Sequence, residues 1–184
     1  MKRLVEPLAN IFGYILLLLC VLVVAETVGR KLFNFSLQGV DELGGYILAL
    51  GSGIAFTVAY VDRAHIRIDL VHGLLPVASR ALLTWVSTLL MALFAITLLY
   101  VGWLVLVETR EFGSTAPTPW ATPLIWPQSV WLASLAVFAG ITVLAAIRAT
   151  ILCLARRYSV LEQEFGPKVA EEELREELEN LRSR

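Results

Sequence analysis

The chain has 184 residues, 58% of them apolar and 17% charged, with a formal net charge of −1 at pH 7. A soluble domain has roughly 45–50% apolar and roughly 25% charged residues, so this composition excludes an ordinary soluble protein. The two cysteines, Cys20 and Cys153, form no CxxC pair. This argues against a thiol–disulfide enzyme and indicates two small packing residues.

Four long runs of the sequence contain no charged residue: 7–25, 43–61, 81–107 and 112–147. A helix needs about 20 mostly apolar residues to cross the ~30 Å hydrocarbon core of a bilayer. These runs are too long and too continuous for the strands of a membrane barrel. The sequence therefore predicts an all-α integral membrane protein whose four transmembrane helices form two hairpins, near residues 8–29, 43–61, 80–107 and 129–155.

The first apolar run follows Met1-Lys2-Arg3 and resembles a secretory signal, but it is too long and no A-x-A-like site follows it before Arg30. We therefore expect a retained helix. Near its end, Glu26 and Arg30 are four residues apart and can form a snorkelling ion pair on one helix face. The alternative is that Glu26 is an intramembrane acid that handles a proton or a cation.

Two connectors are predicted to form short interfacial helices or segments along the membrane surface. The first, 31–42, is too apolar for a free loop and too short for a span. Its last residues, Asp41 and Glu42, suit the first turn of the second helix because acids favour the positive end of the helix dipole. The second connector, 62–76, joins the two hairpins as an elbow at the membrane surface.

The second span is rich in small residues, and the third connector is rich in proline. Small side chains let helix backbones approach closely, which drives helix association in lipid. We expect one face of the second span to pack on another helix, in this chain or in a partner, through Gly45, Gly51, Ser52 and Gly53. The connector 113–128 contains four prolines, which exclude a helix, and its Trp120 and Trp126 suit an interfacial aromatic belt.

The spans are predicted to form one membrane domain, residues 1–158, followed by a charged tail, residues 159–184. After Gly166-Pro167, apolar residues of the tail recur on one helical stripe: Ala170, Leu174, Leu178 and Leu181. This periodicity predicts an amphipathic helix outside the membrane, which is either a solvated appendage or a partner contact.

The Lys and Arg residues near the spans predict the orientation. If both termini lie on one side, that side has eight of these residues and the other has three. This bias predicts cytoplasmic termini and a cytoplasmic central connector, with the other two connectors outside. Three arginines would then be near lipid headgroup phosphates: Arg63, Arg67 and Arg80.

No pattern in the sequence indicates catalysis, since there is no HExxH motif, phosphate-binding glycine loop or Ser-His-Asp set. Both histidines, His65 and His72, lie in the central connector, and the spans contain no histidine to complete a metal or haem site. Glu26 is the one acid within the predicted spans, and no span has the proline break that builds many substrate sites. We expect no enzyme activity.

The most specific motif is A-H-I-R-I-D-L at residues 64–70, followed by L-L-P at 74–76. Arg30 with N-F-S-L at 34–37, and D-E-L at 41–43, precede it, while G-W at 102–103 and W-P at 126–127 follow it. Together they resemble the small membrane (Q-type) subunit of tripartite ATP-independent periplasmic (TRAP) transporters over about residues 8–155. The fixed positions of that family's H-I-x-[VI]-D…L-P signature correspond to His65, Ile66, Asp69 and Pro76.

The resemblance implies a scaffold in the bacterial inner membrane. Such subunits pair with a large (about twelve-span) membrane subunit that has the substrate and Na⁺ sites, so no cofactor is expected in this chain. A periplasmic binding protein delivers the substrate, a carboxylate or sialic-acid-like anion. The expected partners are these two proteins and membrane lipids, with no nucleic acid.

The resemblance also suggests roles for particular surfaces. The small residues of the second span are candidates for packing on the large subunit. Candidates for an outer surface that meets the binding protein are Arg30, Asp41, Glu42, Trp120 and Trp126. Two other functions remain open: a self-contained small transporter that uses Glu26, and an assembly or anchoring protein whose acidic tail recruits a cytoplasmic partner.

Overall fold

The computed structural model describes residues 2–36, 38–63 and 75–166, with side chains described from Asn10 onward. In these residues the chain forms five helices, and the one extended pairing is an isolated bridge between Thr115 and Pro123. The helices are α1 (Lys2–Phe33), α2 (Val40–Val61), α3 (Val77–Phe112), α4 (Ile125–Leu154) and α5 (Tyr158–Phe165).

Helices α1 to α4 are each long and apolar enough to cross a membrane. This confirms the all-α membrane protein with four spanning helices that the sequence predicts. All four helices are longer than the predicted spans, and the difference is largest for α1, which occupies Lys2–Phe33, and α3, which occupies Val77–Phe112. The extra turns of α1 and α3 contain charged residues, whose long side chains can reach water from the membrane surface.

The prediction that proline excludes a helix throughout 113–128 is wrong for its last four residues, because α4 begins at Ile125. Pro127 lies in the first turn of α4, where its missing N–H removes no intrahelical hydrogen bond. The preceding residues, 113–124, form a loop closed by backbone hydrogen bonds. One of these joins the Leu124 N–H to the Ser114 carbonyl at 3.1 Å.

Contacts between residues divide the described chain into two groups. The first group contains the residues up to Asp62 and Leu93–Ile141, and the second contains the described residues of Arg63–Ala92 and Thr142–Arg184. Helices α3 and α4 each contribute one part to either group, so each group is built from segments that are distant in the sequence.

In the first group, α2 packs antiparallel to α1. Leu19 of α1 lies against Gly44, and Phe12, one heptad earlier in α1, lies against Gly51, one heptad later in α2. A β-carbon at Gly51 would overlap the Phe12 ring. The glycine therefore determines how closely these two helices approach.

Another side of α2 packs on α3 and α4. The Phe56 ring stacks on Phe138 of α4, with centroids 5.6 Å apart, and meets Phe94 of α3 edge-on at 6.4 Å. Gly53 lies against Ser134, whose hydroxyl a β-carbon at Gly53 would overlap. Phe138 is fully buried, so these aromatic contacts form the core of the first group.

In the second group, α5 packs on α3 and α4. Leu161 of α5, Ala81 of α3 and Ala149 of α4 are each fully buried and form one cluster. Beside it, the Trp85 indole N–H donates to the Thr150 hydroxyl at 3.0 Å and joins α3 to α4. The predicted tail thus begins with a helix that is packed against the spanning helices.

Several sequence predictions lie outside the described residues. Residues 64–74 contain most of the central motif, and the predicted amphipathic helix of the tail follows Gly166; both stay predictions. The motif residues concerned are His65, Ile66, Arg67 and Asp69. Pro76 is described, and its carbonyl accepts the Arg80 backbone N–H at 3.1 Å at the start of α3.

Candidate functional site

One face of α2 is exposed and is formed mainly by small side chains. Its residues follow one another at spacings of four and three, which places them on one helical stripe. Among the described residues, no neighbouring side chain or helix lies within 4 Å of a β-carbon position at Gly45, and Leu48 is 59% exposed. We call this stripe the α2 face; its residues are Asp41, Gly45, Leu48, Ser52 and Ala55.

The α2 face is suited to close contact with another membrane helix. Because Gly45, Ser52 and Ala55 have short side chains, a neighbouring backbone can approach them closely. The Ser52 hydroxyl donates to the Ala49 carbonyl of its own helix at 2.7 Å, so it needs no partner from another chain. An apolar helix can therefore cover the face without leaving this hydroxyl unpaired.

The four small residues predicted to share a packing face are divided by the structure. Gly51 and Gly53 are buried within this chain, whereas Gly45 and Ser52 are exposed. The prediction of one shared face is wrong, because successive helical residues are rotated by about 100° and Gly51–Gly53 therefore span most of the circumference. The sequence analysis did not identify Leu48 and Ala55 as members of the exposed face. Their helical spacing from Gly45 could have identified them.

Glu42 is buried at the start of α2, with only 7% of the residue exposed. Its carboxylate accepts a hydrogen bond from the Tyr46 hydroxyl at 2.8 Å and another from the Thr118 hydroxyl in the 113–124 loop. These bonds compensate the carboxylate for its lost hydration. The prediction that Glu42 belongs to an exposed outer surface is corrected: its side chain joins the loop to α2.

Trp120 of the same loop covers the turn before α2. Gly39 in that turn has φ +92°, and a β-carbon there would come within 2.6 Å of the indole ring. Trp120 is nevertheless 52% exposed, and Trp126 is 71% exposed. Arg30 and Asp41 are exposed as well. Four of the five residues predicted for the outer surface are thus accessible.

Glu26 is buried near the end of α1, with 5% of the residue exposed. Its carboxylate accepts a hydrogen bond from the Ser36 hydroxyl at 2.7 Å, while the Arg30 Nε lies farther away, at 3.9 Å. The predicted ion pair with Arg30 is therefore present, but Glu26 is buried rather than exposed at the headgroup level, and the Ser36 hydroxyl lies closer to it than Arg30 does. The sequence analysis did not identify Ser36 as the partner of Glu26, because Ser36 lies beyond the end of the helix. Its position in the N-F-S-L motif was the one feature of the sequence that pointed to it.

In the second group, charged side chains lie close together near the end of α5. Arg148 donates from Nε and Nη2 to the two carboxylate oxygens of Glu164, at 2.6 and 2.7 Å. The Arg148 hydrogen bonds hold the pKa of Glu164 below its usual range. Arg63, predicted to contact lipid phosphates, donates to the Gly166 carbonyl at 3.4 Å.

Among the described residues, no group of three or more His, Cys, Asp and Glu side chains is arranged to hold a metal ion. Both histidines lie outside these residues. The expectation that this chain has no cofactor therefore stays a prediction.

A sequence model of the tripartite ATP-independent periplasmic transporters, DctQ component, matches residues 19–154. The chain belongs to this family. The resemblance predicted from the central motif and its neighbours is thereby confirmed. No individual curated protein matches the chain closely enough to be counted as a relative.

As a DctQ component, the protein is a small subunit of a TRAP transporter, and such a transporter is tripartite. The match begins within α1, contains all of α2 and α3, and ends at the last residue of α4. It therefore includes the α2 face and both buried acids, Glu26 and Glu42. Helix α5 lies beyond it.

Proposed function

We propose that this DctQ component is the non-catalytic small permease subunit that scaffolds and anchors the large transport subunit. The large subunit would perform Na⁺-coupled uptake of an organic anion, a carboxylate or sialic-acid-like molecule delivered by a periplasmic binding protein. The observation that carries the proposal is the α2 face, an exposed surface of small side chains on a spanning helix.

The environment of the buried acids supports a scaffold rather than a transport path. Glu26 accepts a hydrogen bond from Ser36, and Glu42 accepts hydrogen bonds from Tyr46 and Thr118. Hydroxyl groups of the chain itself thus compensate for the burial of both carboxylates. No transported ion is needed to account for either acid.

The α2 face is the surface that we propose for a helix of the large subunit. Contacts with α1 occupy one side of α2, through Gly44 and Gly51, and contacts with α3 and α4 occupy another, through Gly53 and Phe56. The α2 face is the stripe that these contacts leave exposed. Without a hydrophobic driving force in lipid, such close van der Waals packing is what holds spanning helices together.

The proposed orientation places the protein in the bacterial inner membrane with both termini in the cytoplasm, as the charge bias favours. Arg67 and Arg80 are then the proposed contacts for lipid phosphates. Arg63 stays a proposed phosphate contact as well, because its hydrogen bond to Gly166 uses only one of its guanidinium nitrogens.

The proposed docking surface for the binding protein is at the opposite, outer side. Its members are the exposed residues Arg30, Asp41, Trp120 and Trp126. Trp120 is the strongest candidate, because its ring is fixed over Gly39 and the Glu42–Thr118 hydrogen bond holds its loop. A rigid, half-exposed aromatic ring is typical of the residues that dominate binding energy in protein interfaces.

Trp120→Ala is expected to raise the concentration of binding protein needed for half-maximal uptake by about thirtyfold, because an aromatic hot spot commonly contributes about 2 kcal/mol or more. Uptake by reconstituted transporter would be titrated with substrate-loaded binding protein. The matched control is Trp103→Ala, which removes a similarly exposed ring from α3 and should leave the titration unchanged. Equal titrations for Trp120→Ala and wild type would contradict the assignment of this surface.

Proteoliposomes test the proposed function itself. The chain alone should give no Na⁺-driven uptake, and adding the large subunit and the binding protein should produce it. Glu26→Gln should leave that uptake unchanged within about twofold, because the amide oxygen can still accept the Ser36 hydrogen bond. Flux through the chain alone that Glu26→Gln abolishes would instead establish a self-contained transporter.

The same assay separates the scaffold from an anchoring protein that works through its tail. Deleting residues 167–184 should cause little loss of uptake if the spanning helices hold the large subunit. The deletion leaves Gly166 in place, so the Arg63 contact can still form. Complete loss of uptake with the assembly intact would favour recruitment of a cytoplasmic partner by the tail.

A further inference from the structure

Apolar side chains along the length of α5 pack it against α3 and α4 in the second group. Leu161, at its middle, is fully buried against Ala81 of α3 and Ala149 of α4. Tyr158 and Phe165, at its two ends, pack against the same cluster. Because α5 has only eight residues, it is too short to be stable by itself. Its formation therefore depends on these contacts.

Polar contacts join α5 to both neighbouring helices as well. The Thr84 hydroxyl of α3 donates to Glu162 at 2.6 Å. Arg148 of α4 donates two hydrogen bonds to Glu164, one to each carboxylate oxygen. Such a bidentate pair fixes the geometry of both side chains more strictly than a single hydrogen bond does.

The end of α5 is also joined to the start of the central connector. Gly166, which ends the helix, accepts a hydrogen bond from Arg63, just after the end of α2. The Arg63 charge also acts favourably on Glu164. Glu164 is thus hydrogen-bonded to the Arg148 guanidinium and also lies in the favourable field of the Arg63 charge.

We propose that α5 is a charge-locked strap. With its charge present, Glu164 holds α5 closed over α3 and α4 through Arg148 and Arg63, and loss of that charge releases it. The closed strap joins α3 to α4 and keeps Gly166 beside Arg63, at the start of the central connector. The family match ends before α5, so the strap is a property of this chain beyond the matched region.

The pH dependence of the strap follows from the groups that face Glu164, which are Arg148 of α4 and Arg63, with Glu162 nearby on α5. Arg148 lowers the pKa of Glu164 in the folded chain below the ordinary value of 4.5. A lowered pKa stabilises the folded form at higher pH, and that contribution disappears as the pH falls through the folded value. The strap should thus stay closed at neutral pH and open only in acid.

Cys153 is a native reporter of this release, because it packs against the cluster that Leu161 completes. The full chain in lipid nanodiscs would be labelled with a membrane-permeant maleimide. Glu164→Gln should label Cys153 about fivefold faster, since a partly exposed ion pair contributes up to about 1 kcal/mol. Leu161→Ala should label it about thirtyfold faster, since such truncations cost about 2 kcal/mol or more.

Two controls make the labelling specific. Cys20, exposed on α1, should keep its rate in every variant, and Gln163→Ala removes an exposed neighbour of Glu164 and should leave Cys153 slow. The double variant Arg148→Glu with Glu164→Arg should restore slow labelling only in part, because it reverses the pair but brings a positive charge near Arg63. Wild-type rates in Glu164→Gln, together with fast labelling in Leu161→Ala, would overturn the charge lock.

A second measurement follows the release by pH while Glu164, Arg148 and Arg63 are unchanged, and uses Glu164→Gln only as its control. A nitroxide on Ser159→Cys, an exposed site on α5, in a chain whose native cysteines are replaced by serine, should become more mobile as the pH falls through the lowered pKa of Glu164, because the carboxylate then loses its charge. Glu164→Gln should remove that transition. A nitroxide whose mobility stays the same throughout an acid titration of the folded chain would overturn the proposal.

Discussion

Gly51→Val is expected to lower the thermal unfolding midpoint of the chain by about 5 °C, whereas Gly45→Val should leave it within about 1 °C of wild type. A β-carbon at Gly51 would overlap the Phe12 ring, while no described atom of a neighbour lies within 4 Å of the same position at Gly45. Overpacking costs about 1–3 kcal/mol, and each kcal/mol shifts the midpoint by about 2–4 °C in a chain of this size.

The midpoint would be measured on the purified chain in detergent by thermal unfolding. Phe12→Ala in the Gly51→Val background should recover part of the loss, because it removes the ring that the new side chain meets. A stability loss in Gly45→Val as large as that in Gly51→Val would contradict the division of the small residues into a buried and an exposed set.

Gly45→Leu combined with Ser52→Leu is expected to reduce capture of the large subunit by about tenfold or more. Two leucines would project from the α2 face and prevent the close approach of a partner backbone. Even a loss of about 1.4 kcal/mol changes a dissociation constant tenfold. The lone variant should unfold at the wild-type midpoint, because neither side chain would project into an existing contact within the described chain.

Gly140→Leu is the matched control for this variant. Gly140 of α4 is exposed and has no neighbour within 4 Å of its β-carbon position, so the substitution adds an equal side chain away from the α2 face. Capture would be quantified by co-purification from membranes that contain both subunits. The proposed interface would be ruled out by equal capture of the α2-face variant, the control and the wild type.

The four spanning helices could be predicted from the sequence because the bilayer imposes a simple requirement on length and charge. The ends of the helices could not be predicted, since each end depends on whether the local residues favour another helical turn or a loop. Pro127 illustrates this: proline breaks a helix interior but is tolerated in a first turn, and the sequence does not say which turn it occupies.

The candidate surfaces were only partly predictable for a different reason. Small residues could be identified in α2, but their division depends on Phe12 and Ser134, which reach Gly51 and Gly53 only after folding. The burial of Glu42 depends likewise on Thr118, a loop residue distant in sequence. Partners of this kind become visible only in three dimensions.

The protein belongs to a family of tripartite transporters, and the central claim is that it acts there as a scaffold that binds the large subunit. Co-expression of the tagged chain with that subunit, followed by purification and mass measurement, tests this claim most directly. The account predicts equimolar capture of the large subunit, decreased by the Gly45→Leu, Ser52→Leu variant. A stable homo-oligomer that never captures the large subunit would contradict it.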